Sequence, residues 1–112
     1  MIKKLIFNFK NSINGIKFGL KENSFVLELI GGVILVPYAF FSDINLINKL
    51  LIITVYILLL AFELLNTAIE KLCNKINKEI DEDIKTIKDL ASSAVFTLLI
   101  LLMIICIISF IM

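Results

Sequence analysis

Arginine, histidine and tryptophan are absent from this 112-residue sequence, and proline occurs once. Without arginine there is no planar fork for gripping a phosphate or carboxylate through two bonds. Without histidine there is no imidazole for acid/base work near neutral pH. Proton transfer is left to carboxylates, and every positive side chain is a lysine. Cysteine is scarce: Cys73 falls beside a lysine-rich segment and Cys106 deep in an apolar run. They read as free, buried thiols rather than a disulfide. There is no long polar tail and no Ser/Pro-rich linker, so one domain is expected over 1–112.

Apolar residues make up 60% of the chain and the mean hydropathy is +1.02, far above soluble domains, whose apolar share is roughly 45–50%. The reading is a small all-α integral membrane protein. It is too short to enclose a catalytic cavity alone, and a symmetric oligomer with sites between subunits is the simplest remedy. A net charge of +1 accompanies this composition, and no nucleic-acid partner is expected.

Residues 1–21 contain Lys3, Lys4, Lys10, Lys17 and Lys21 and no acid. On a helix, four of these lysines fall within about 40° of one another and leave a broad apolar face, the pattern of a helix lying in the membrane surface. A cleaved signal peptide would need an unbroken apolar core, which Lys10 and Lys17 interrupt. Three spans are expected after it, over about 25–41, 46–70 and 89–112. The first contains Glu28, the pair Gly31-Gly32, suited to close helix packing, and Pro37, marking a bend or exit. Ser42 to Asn48 forms a brief polar turn. The third has no charge from Ala91 onward, and Asp89 is expected to cap its start.

Lysines set the orientation. Five lie in 1–21 and five between Lys71 and Lys88, against Lys49 alone near the intervening turn. The positive-inside rule makes the N-terminus and the second connection cytoplasmic. Glu22, Glu63, Glu70, Lys88 and Asp89 then meet at one membrane level.

The densest chemistry is Glu63-Leu64-Leu65-Asn66-Thr67-Ala68-Ile69-Glu70. At about 100° per residue, Glu63, Asn66, Glu70 and Asn74 share a face about 80° wide. A charged side chain within a bilayer costs about 2.5–3.5 kcal/mol on insertion scales, so such a face needs a purpose. Carboxylates and an amide facing a lysine, between water and lipid, suit a hard divalent cation and a polyphosphate. A carboxylate slightly deeper could take a proton from a lipid hydroxyl. Neither a Gly-x4-Gly-Lys-Ser/Thr loop nor a kinase glycine-rich loop occurs, so the soluble ATP-binding folds do not apply.

Glu63-x2-Asn66-Thr67-Ala68-Ile69-Glu70 followed by Lys88-Asp89-x2-Ser92-x-Ala94-Val95 closely resembles the prokaryotic diacylglycerol kinase and undecaprenol kinase family. Asn14-Gly15 and Glu22-x2-Phe25-x2-Glu28 extend the likeness over essentially the whole chain. The resemblance implies a homotrimer of three-span subunits, each with an amphipathic N-terminal helix. It further implies phosphorylation of a lipid alcohol with ATP and Mg²⁺ at sites shared between subunits, in the bacterial inner membrane. By position, Glu63 is then the general base, and Glu22 and Glu70 hold Mg²⁺ against the nucleotide. Lys88 contacts phosphate, and Asn66, Asp89, Glu28 and Ser92 support the site. Glu79 becomes a nucleotide-side acid.

Two features depart from the family pattern: Asn74 stands where Asp is common, so no metal is assigned to it, and the connection after Glu79 is unusually acidic. Glu28 with Glu22-Asn23-Ser24-Phe25 favours diacylglycerol over undecaprenol as substrate, on resemblance. Lys71, Lys75 and Lys78 read as solvated positive-inside charges. The rival from another class is a small proton-coupled multidrug exporter, which at this length would need four spans and one deep carboxylate.

Overall fold

The computed structural model describes residues 1–76 and 81–111. They form four helices in chain order: α1 (Ile2–Gly19), α2 (Asn23–Phe41), α3 (Leu46–Ile76) and α4 (Glu82–Ile111). The last three are long and apolar enough to cross a membrane.

Helix boundaries follow from local hydrogen bonds. The α1–α2 corner is a tight turn in which Lys21 N–H donates to the Phe18 carbonyl (3.1 Å) and Glu22 N–H to that of Gly19 (2.9 Å). Glu22 thereby sits at the N-cap of α2 with extended backbone. At the opposite end of α2, the Lys49 ammonium donates to the Phe40 carbonyl (2.8 Å), placing a cation on the negative end of the helix. Asn45 starts α3, its side chain accepting from Asn48 N–H at 2.8 Å, and this satisfies an amide with no partner inside the helix.

The start of α4 differs from the sequence expectation. Asp81, not Asp89, is the cap: its carboxylate accepts from the amides of Asp83 (2.8 Å) and Ile84 (3.3 Å). Asp89 lies two turns inside the helix. The apolar stretch begins near Ala91, but helical hydrogen bonding begins where a side chain can meet free amides, and Asp81 is the residue that does so. Likewise α3 continues past its apolar part to Ile76.

Ala39, Ile52, Val55, Tyr56, Leu59 and Leu102 form the core shared by α2, α3 and α4. The outer faces remain apolar and exposed, as at Leu27, Ile34, Leu101 and Ile107. In lipid such faces are not driven inward, so these helices associate through close packing and hydrogen bonds. Gly32 shows this directly. A Cβ there would collide with the Tyr56 ring and hydroxyl, whereas one on Gly31 would meet nothing within 4 Å. Cys73 and Cys106 are both free; Cys73 is buried, but Cys106 is only half-buried, less than its apolar run suggested.

Candidate active site

Polar groups line α3 in order of depth. Glu63 is 5% exposed, and Asn66 and Thr67 are buried beside it. One turn further Glu70 is half-buried, and another turn on Asn74 is exposed. The helix thus carries its stripe from a buried position to an exposed one.

Several of these groups are tied to neighbours. The Thr67 hydroxyl donates to the Glu63 carbonyl at 3.1 Å, which satisfies it within its own helix. The Asn66 amide nitrogen donates to Glu70 Oε1 at 3.1 Å. Opposite, the Glu28 carboxyl of α2 faces that of Glu63. The Tyr56 hydroxyl donates to the Glu28 backbone carbonyl at 2.9 Å, joining α2 to α3 at this level. Among the described residues, two buried oxygens have no partner: Glu28 Oε2 and Asn66 Oδ1. A buried acceptor left alone costs about 1–3 kcal/mol, and a donor on a substrate or a held water would relieve that cost.

A second group lies nearer the end of α3. Lys71 Nζ and Glu22 Oε1 are 3.8 Å apart, which brings Glu22 alongside the helix that bears Glu70. Lys88 Nζ on α4 donates to Asn74 Oδ1 at 2.6 Å. Asp89 turns elsewhere, pairing with Lys85 at 2.9 Å, and Ser92 is exposed on α4. Within one subunit, therefore, Glu28 meets Glu63, Asn66 meets Glu70, and Glu22 and Lys88 reach α3 through Lys71 and Asn74. Asp89 and Ser92 make no such connection among the described residues. Glu79 lies outside the described residues.

An open cavity of about 620 Å³ separates α1 from α3, with Ser12, Gly15, Phe18, Leu64, Thr67 and Lys71 among its walls. Its lining is mostly apolar, and Thr67 places it one turn from Glu63. Among the described residues, no three acidic or thiol side chains gather tightly enough to hold a metal by themselves.

Lys71, Tyr56 and Thr67 carry parts of this arrangement that the sequence reading did not single out. Lys71 looks like its neighbours Lys75 and Lys78, although it directly follows Glu70. Tyr56 shares its apolar run with a second hydroxyl, Thr54, and nothing in the spacing marks it as the one that meets α2. Thr67 stands inside the Glu63–Glu70 block, but nothing in its spacing distinguishes it.

Residues 10–110 match the family model described as prokaryotic diacylglycerol kinase. A diacylglycerol kinase of Haemophilus influenzae is 37% identical over 93 residues, covering 82% of this chain and 79% of that protein. A diacylglycerol kinase of Pseudomonas aeruginosa is 36% identical over 78 residues, covering 70% of this chain and 63% of that one.

Proposed function

The chain belongs to the prokaryotic diacylglycerol kinase family, and from that premise we propose that it transfers the γ-phosphoryl group of ATP to 1,2-diacylglycerol, yielding phosphatidic acid and ADP. The observation that carries this reading is Glu63, a carboxyl 5% exposed on a membrane-length helix, one turn from an apolar cavity open toward α1.

The acyl chains lie along the cavity between α1 and α3, and the lipid hydroxyl reaches Glu63. As the hydroxyl oxygen attacks the γ-phosphorus, Glu63 takes its proton and the bond to the β-phosphate oxygen breaks, releasing ADP. Glu28 fixes the position of Glu63 from α2, itself held by Tyr56. Asn66 orients Glu70 through its amide nitrogen. Lys88 offers an ammonium to the phosphates as a point charge.

Glu22 and Glu70 would hold Mg²⁺. The donor set is all oxygen, which a hard cation prefers, and Mg²⁺ commonly takes only one or two carboxylates, completing its shell with water and phosphate. The unpartnered Asn66 Oδ1 beside Glu70 suits a water of that shell. When bound, the ion offsets triphosphate charge and aligns the γ-phosphoryl group. Lys71, 3.8 Å from one Glu22 oxygen, competes with the ion for that carboxylate.

The working assembly is a homotrimer in the inner membrane with the N-terminus cytoplasmic. Asp89 and Ser92, unused within one subunit and exposed on α4, are then available to a neighbouring subunit's site. All of α1 except Gly19 is exposed, as expected of a helix resting in the lipid interface.

The test offers diacylglycerol, undecaprenol and ceramide side by side to purified protein in lipid micelles with Mg²⁺ and labelled ATP. Phosphatidic acid is the expected main product. Glu63→Gln is expected to keep the oligomer while losing at least about 100-fold in turnover, the lower end of what a general base contributes. No lipid product from any of the three alcohols refutes the assignment. A C-terminal reporter found in the cytoplasm would instead require an even number of spans and favour the exporter.

A further inference from the structure

Asn74 is one turn beyond Glu70 and two beyond Asn66, in steps of four residues, each about 6 Å along the axis. It accepts the hydrogen bond from Lys88, the one side-chain bond between α3 and α4 among the described residues. We propose that Asn74 is a positioning residue: it holds the Lys88 ammonium about one helical turn from the Glu70 carboxylate while leaving its charge free for a triphosphate. The inference rests on the reading of Lys88 as the phosphate-contacting lysine.

The chemistry of an amide suits this task. A lysine side chain loses rotamer freedom when it is fixed, and a bond made before the nucleotide arrives meets that cost in advance. The amide oxygen takes one of three ammonium protons and carries no net charge, so two donors and the full positive charge remain. A carboxylate at position 74 would fix Lys88 equally well but pair its charge and set a negative group beside the phosphates. The 2.6 Å separation places Asn74 close enough to Lys88 to act on it directly.

Nucleotide affinity, measured without lipid alcohol, tests the idea. Full-length protein in nanodiscs is dialysed against labelled ATP with Mg²⁺. Asn74→Ala and Asn74→Asp are each expected to weaken binding about tenfold, the scale of one hydrogen bond to a charged group. In turnover assays the KM for ATP should rise with them while kcat changes less than about threefold. In a Lys88→Met background, Asn74→Ala should change nothing, because its effect passes through Lys88. An equal loss in that background assigns Asn74 a merely structural role and overturns the proposal, as does an Asn74→Asp variant that binds like the parent. If the parent binds no nucleotide, the kinase reading falls as well; if the parent binds and the Asn74 variants match it, only this inference falls.

Discussion

Gly32→Ala is the sharpest test of how the two inner helices hold the site. The added Cβ would fall on the Tyr56 hydroxyl and on ring atoms Cζ and Cε2, so shortening Tyr56 to Phe does not make room. Forcing a methyl into such a contact costs about 1–3 kcal/mol. If the ring swings away instead, its bond to the Glu28 carbonyl is lost, which within membranes averages about 0.6 kcal/mol and reaches about 1.7. Against these stands the helix preference of alanine over glycine, about 0.5–1 kcal/mol. The steric term outweighs it, and a net loss of up to about 2.5 kcal/mol follows. The neighbouring glycine supplies the control. Nothing lies within 4 Å of a Cβ on Gly31, so Gly31→Ala should be neutral or stabilising by up to about 1 kcal/mol. Reversible unfolding by SDS titration in mixed micelles, followed by circular dichroism, measures both variants. Gly32→Ala as stable as Gly31→Ala would refute the packing argument. Turnover should fall only in the first variant, because Tyr56 holds the α2 backbone from which Glu28 meets Glu63.

Asn66→Leu removes a buried oxygen without a partner along with the donor to Glu70; unfolding stability should stay within about 1 kcal/mol of the parent or rise, while lipid kinase turnover drops at least about tenfold. Lys71→Ala breaks an exposed ion pair worth under about 1 kcal/mol, so stability should barely move, whereas the Mg²⁺ concentration for half-maximal activity should fall as Glu22 loses its competing cation. Asp81→Ala removes the cap of α4 at a cost of about 1 kcal/mol, and hydrogen exchange should accelerate at the amides of Asp83, Ile84 and Lys85 with little change beyond Leu90.

The three apolar helices were legible because a membrane demands length and apolarity together, and both can be read along a chain. The polar stripe of α3 was equally plain, since helix periodicity alone brings Glu63, Asn66, Glu70 and Asn74 to one face. What escaped was pairwise and tertiary. Lys71 is chemically the same as the solvated lysines around it until the α1–α2 corner delivers Glu22 to it. Asp81 and Asp89 are both plausible caps, and only the course of the backbone decides which one has free amides in front of it. Tyr56 acquires meaning only when Gly32 is known to lie opposite. The separation of Asp89 and Ser92 from the α3 stripe had no counterpart in spacing, because they belong to the same helix as Lys88, yet Asp89 pairs with Lys85 and Ser92 is exposed.

The unbroken course of α3 has a consequence for how this chemistry can vary. In many enzymes the reacting groups sit on separate loops, whose lengths can be changed to retune the distances among them. Here four groups are mounted on one rigid rod, and inserting a single residue between Leu65 and Asn66 would rotate everything beyond it by about 100°. Change by insertion or deletion is closed to this part of the molecule. Adaptation to another substrate must proceed by exchanging side chains at fixed rungs, or by remodelling the walls that α1 and α4 bring against the rod.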